Sequence, residues 1–176
     1  MNFDEQILKW QPFFITLATV AGTLIGLLFI SLSLTRDKVI SNPHVFRLAR
    51  RSFADFMHVV LVSLFFLIPA QSNAPLGIEL FVVGILRFKL LFKQMISPAG
   101  HGGGLPRLIS EFVPPVISTA GLLIAGIEIY RGGKDANLAI YYVVVPVIAT
   151  LMFSACSNAW LLLMEEKSTG IARDAD

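Results

Sequence analysis

Charge is scarce in this chain. Asp, Glu, Lys and Arg supply 15% of its 176 residues, whereas hydrophobic types supply 55%. A soluble domain carries about a quarter charged residues, and the mean hydropathy of +0.73 points away from that class. The net charge of +2 is too small for a nucleic-acid surface, whose grip on phosphates needs clustered cations. Cys156 is the single cysteine, which excludes an intramolecular disulfide. The three histidines, His44, His58 and His101, stand too far apart for a metal-ligand spacing such as HExxH. No GxSxG elbow is present, and Gly102-Gly103-Gly104 lacks the lysine of a phosphate-binding loop. No catalytic residue, metal or cofactor is therefore expected. Nor is a cleavable signal peptide, since Asp4 and Glu5 precede the first apolar run and no small-residue cleavage site follows a short one.

What the sequence has instead is long apolar runs. Residues 13–34 carry no charge and are long enough to span a bilayer. Residues 2–11, with Phe3, Ile7 and Trp10 at helical spacing, read as a short interfacial helix ahead of Pro12. Ser41-Asn42-Pro43 reads as an N-cap followed by proline in the first helical turn. A second span is expected over 53–70, ending near Pro69. A third covers 76–92 only if Arg87 and Lys89, in its last turns, snorkel to the interface. A fourth runs over 112–130, with Pro114 and Pro115 in its first turn. The fifth runs over 138–164, where Pro146 predicts a kink. Ser97–Pro106 is a glycine-rich linker, and 165–176 reads as a flexible polar tail. The expected fold is all-α: one polytopic membrane bundle of five transmembrane helices.

Basic residues orient the bundle. Arg36, Lys38, Arg47, Arg50, Arg51, Arg87, Lys89, Lys93, Arg107, Lys167 and Arg173 fall on one side, and only Lys9, Arg131 and Lys134 on the other. Excess Lys and Arg mark the cytoplasmic face. The N-terminus is expected outside and the C-terminus inside a bacterial-type inner membrane.

Polar residues inside the apolar runs are the candidate functional groups. Ala18, Gly22 and Gly26 form a small-residue seam that lets helix backbones approach closely. Beside it run Thr16, Thr19, Thr23 and Ser33. Two readings are open for these hydroxyls: helix packing with each bonded to its own preceding carbonyl, or the lining of a polar path. Thr150, Ser154, Ser157 and Asn158 form a second stripe. Asp55 and His58, one turn apart, with Ser118 and Thr119, complete an inner polar cluster open to the same two readings. In the bland one Asp55 pairs with Arg51 and His58 bonds a carbonyl. Glu79 and Glu128 lie near the outer ends of their spans, as interfacial carboxylates or as a cation-attracting mouth.

The leading expectation is a homo-oligomeric ion channel or small-solute pore formed between protomers and surrounded by lipid. The alternative is a non-catalytic scaffold or accessory subunit bound to other membrane proteins. An enzyme using Asp55 and His58 as an acid–base pair is the weakest of the three.

Overall fold

A computed structural model describes residues 3–34, 36–69, 71–96, 105–132 and 140–173. Among them the chain is helical apart from short connections, without a strand: α1 (Phe3–Leu34), α2 (Arg36–Ser41), α3 (Pro43–Leu67), α4 (Asn73–Ile96), α5 (Leu105–Arg131) and α6 (Val145–Arg173), the last preceded by a π-helical turn over Ile140–Val144. Residues 97–104 of the glycine-rich linker, including His101, and Lys134 and Asp135 of the expected outer loop lie outside the described residues.

Three segments are long and apolar enough to cross a membrane: Ile7–Leu34, Val113–Arg131 and Tyr142–Leu162. Each contains the sequence Pro-x-x-x-Thr near its start, and each threonine hydroxyl donates to the carbonyl of the proline four residues back. The pairs are Thr16 to Pro12 at 2.8 Å, Thr119 to Pro115 at 2.7 Å and Thr150 to Pro146 at 2.8 Å. Proline deletes one intrahelical N–H donor. The hydroxyl bonds the proline's own carbonyl and not the one left without a donor, so it is a local back-bond like those of Thr19 and Thr23. Pro12, Pro114 and Pro115 nevertheless lie inside continuous helices. The expected interfacial helix and first span are therefore one element. Pro114 and Pro115 likewise fall inside α5 and not in its first turn. Before Pro146 the chain widens into the π turn, a usual place for a helix to accommodate a broken ladder.

Asn42 caps α3 as its position suggests: its Oδ1 accepts from the Val45 amide at 3.5 Å. At the far end of the α4–α5 hairpin, Gly132 closes α5 with φ 70° and donates to the Ile129 carbonyl at 3.1 Å. That left-handed conformation suits glycine, which has no Cβ to clash.

Successive long helices run antiparallel. α1 packs on α3, where Phe14 and Phe66 stack with centroids 4.1 Å apart. α3 packs on α6, and the Ser52 hydroxyl donates across that contact to the Ala155 carbonyl at 2.8 Å. α4 and α5 make the closest crossing. A Cβ built on Gly77 would stand 2.7 Å from the Gly126 carbonyl, and one on Gly126 would stand 2.9 Å from the Gly77 carbonyl. The two backbones touch there because neither residue has a side chain. Gly121 admits Val147 in the same way where α5 meets α6. Phe56, Val62, Leu80, Leu122, Ile148 and Leu151 fill the centre of the bundle.

Candidate functional site

The polar centre of the bundle lies where α3, α4 and α6 meet. Asp55 projects from α3, Arg87 from α4 and Ser154 from α6. The Arg87 Nη2 donates to Asp55 Oδ1 at 2.7 Å, and the Ser154 hydroxyl donates to Asp55 Oδ2 at 2.8 Å. Asn158, one turn on, donates to the Ser154 Oγ at 3.5 Å. Both carboxylate oxygens are thus occupied, one by each neighbouring helix.

Burial makes this cluster unusual. Asp55 is 3% and Arg87 5% exposed. Taking two charges out of water costs several kcal/mol per ion, so such groups are found paired. The expected snorkelling of Arg87 is corrected: its guanidinium turns inward to a carboxylate rather than outward to a surface. Lys89, two residues on and therefore on another face of α4, is exposed. The Nε of Arg87 is buried and has no hydrogen-bond partner among the described residues. The pair is therefore held by one guanidinium nitrogen rather than by a two-pronged fork.

His58 is half-buried on the turn after Asp55, and its Nδ1 donates to the Ala54 carbonyl. This fixes the proton on Nδ1 in the neutral ring and leaves Nε2 as the remaining acceptor. Ser118 and Thr119 are both buried, and both donate to the Pro115 carbonyl, at 3.1 and 2.7 Å. Of the inner polar residues, the structure joins Asp55, Ser154 and Asn158 in one hydrogen-bonded chain. His58, Ser118 and Thr119 are satisfied by backbone.

The α1 residues lie elsewhere. Thr16, Thr19, Thr23 and Ser33 are exposed, and each hydroxyl donates to the carbonyl four residues earlier at 2.8–2.9 Å. Gly22 and Gly26 are exposed as well, and beyond their own stretch of α1 backbone nothing lies within 4 Å of a Cβ built on either. Ala18 is half-buried at the edge of the same face. The seam is turned away from the protomer's own core, unlike Gly77 and Gly126, whose space is already taken. Thr150, on α6, bonds Pro146 and takes no part in the Asp55 chain.

Glu79 and Glu128 stand toward the same end of the α4–α5 hairpin, near Asn73 and Gly132. Each is half-buried and each has a local donor. Gln71 Nε2 donates to Glu79 Oε2, and Arg131 Nη1 donates to Glu128 Oε1 at 3.3 Å. Arg131 is largely exposed, so that second pair is weakened by water. Cys156 is exposed on α6. Among the described residues no three of His, Cys, Asp and Glu converge on a metal position.

Arg87 is the residue that sequence reasoning misplaced. A faint signal exists: Asp55 and Arg87 lie at similar distances from the facing ends of α3 and α4, so an antiparallel pairing of the two helices brings them level. Comparison with known proteins finds no matching family model, no similar curated protein and no similar solved structure.

Proposed function

We propose that the chain is a five-span integral protein of a bacterial-type inner membrane that self-associates through α1 and forms a pore for ions or small solutes between protomers. The observation that carries this reading is the outward face of α1. Its Gly22 and Gly26 backbone is open, and its hydroxyls need no water because they bond their own helix. In lipid such a face is suited to close helix packing, since small residues let backbones approach and gain dispersion contacts. A protomer of this size has little room for a path of its own. A path at the junction of several copies uses the α1 hydroxyls without opening the core.

The two further spans are α3 and α4. Their charges hinder immersion, and the Asp55–Arg87 pair removes much of that obstacle, because each neutralises the other inside the bundle. The excess of basic residues at one end of the bundle supports an N-terminus outside and a C-terminus in the cytoplasm. Glu79 and Glu128 stand at the outer mouth, where carboxylates concentrate cations. The proposal assigns no catalytic step to Asp55, since Arg87 and Ser154 occupy both its oxygens.

Recording from purified protein in planar bilayers tests the reading. Unitary cation currents that fall on Glu79→Gln or Glu128→Gln support it, and a silent bilayer removes the pore. A second reading is favoured by the same self-satisfied hydroxyls, which suit a dry contact with any small-residue helix. In it the chain is a non-catalytic accessory subunit of another membrane protein. Purification in mild detergent separates the two: a stoichiometric foreign subunit supports the accessory role, and a particle of this chain alone supports the pore.

A further inference from the structure

The end of the bundle formed by the start of α3 and the end of α4 combines exposed cations with exposed aromatic rings. Arg36, Arg47, Arg50, Lys89 and Lys93 are all exposed, and among the described residues none has a hydrogen-bonding or ion-pairing partner. The Asp55–Arg87 contact sets their depth, because it fixes the register of α3 against α4. Moving from that pair toward the start of α3 is the same direction as moving toward the end of α4. At a rise of about 1.5 Å per residue, Arg50 lies ~7.5 Å and Lys93 ~9 Å beyond the pair. The residues that alternate with them are phenylalanines. Phe46, Phe53, Phe88 and Phe92 are each between 40% and 55% exposed. Phe88 and Phe92 stack on one another along the outside of α4, with centroids 6.2 Å apart.

We propose that Arg47, Arg50, Lys89 and Lys93 dock the phosphate headgroups of anionic phospholipid, with Phe53 and Phe88 seated in the acyl region beneath and Phe46 and Phe92 beside the cations. Charge complementarity commits the surface to lipid. Cations for phosphate and rings for the first methylenes occur at the depth where a headgroup meets its chains. An acidic protein segment would satisfy the cations and leave the rings in water. The inference rests on the membrane reading but not on the pore.

The test uses the full chain in detergent micelles containing equal phosphatidylglycerol and phosphatidylcholine. Lipid that stays bound through size exclusion is counted by native mass spectrometry. The expected result is phosphatidylglycerol enriched roughly tenfold, with the preference lost in the triple variant R47Q/R50Q/K93Q and reduced in 1 M salt. R131Q, which removes a cation at the opposite end, keeps the preference. Equal retention of the two lipids, or a triple variant that still selects phosphatidylglycerol, overturns the proposal. An unfolded triple variant is recognised by its elution, and single R47Q and K93Q variants with graded losses then decide. None of these readouts depends on conductance, so a silent bilayer and absent lipid selectivity remain distinct failures.

Discussion

Arg87 on α4 and Asp55 on α3, 32 residues apart in sequence, form a 2.7 Å ion pair inside the bundle, and Ser154 of α6 donates to the second carboxylate oxygen. One carboxylate therefore ties three helices together. A buried pair contributes little net stability, because desolvation offsets the attraction, but a half-broken pair is costly. Asp55→Ala or Arg87→Ala alone should destabilise the fold by about 3–5 kcal/mol. The double change Asp55→Leu with Arg87→Met should recover most of that loss. Thermal unfolding in lipid or detergent measures both. Additive losses in the double variant would show that the pair is not coupled as described.

Ser154 offers a finer test of the same centre. Removing its hydroxyl leaves one buried oxygen of Asp55 without its donor, at a cost of about 1–3 kcal/mol. In the Asp55→Leu, Arg87→Met background the same Ser154→Ala change should cost far less, since no carboxylate remains to be satisfied. Equal effects in the two backgrounds would assign Ser154 a role unrelated to Asp55.

The two sets of glycines should respond oppositely. Gly126→Ala places a methyl 2.8 Å from the Phe81 amide nitrogen and 2.9 Å from the Gly77 carbonyl, so α4 and α5 must separate. Overpacking of this kind costs about 1–3 kcal/mol. Gly22→Leu and Gly26→Leu meet open space and should leave protomer stability within about 0.5 kcal/mol. They should nevertheless abolish self-association, because the added side chains hold the α1 backbones apart. Unfolding curves together with chemical crosslinking in membranes distinguish these outcomes. A Gly22→Leu protein that still crosslinks into oligomers would move the interface off α1.

Much of this arrangement is readable without coordinates, for stated physical reasons. Hydropathy marks the helices, because a helix is the cheapest way to satisfy backbone groups away from water. Asn42 before Pro43 marks a helix start, and the hydroxyls of Thr16, Thr19, Thr23 and Ser33 are satisfied locally, a bond set by helix geometry alone. Periodicity also places Asp55 on α3 and Ser154 with Asn158 on one face of α6. It does not say that those faces meet, or that Arg87 turns inward to join them. That depends on the register of α4 against α3, which is fixed by packing between distant segments. The Gly77–Gly126 crossing is hidden for the same reason. These glycines lie on different helices, whereas GxxxG on α1 is visible within one. The reading of Pro12 and Pro114-Pro115 as helix starts fails because proline disfavours a continuing helix without forbidding it, and here α1 and α5 each run through their prolines.

The proposed five-span topology predicts a labelling pattern. In a Cys156→Ala background, Arg50→Cys and Lys93→Cys should react only with a thiol reagent applied from the cytoplasmic side. Arg131→Cys should react only from the outside. These assignments follow from the crowding of basic residues at one end of the bundle. Reaction of Arg50→Cys and Arg131→Cys from the same side would reduce the number of crossings between them and remove either α3 or α4 from the membrane.

In the proposed assembly, copies of this chain meet through the open face of α1. Imaging the purified full-length protein in lipid nanodiscs tests it most directly. The predicted result is a closed symmetric ring with Gly22 and Gly26 of α1 buried between neighbouring protomers and a continuous hole on the axis. A lone protomer with α1 facing lipid, or a ring joined through other helices, would contradict it.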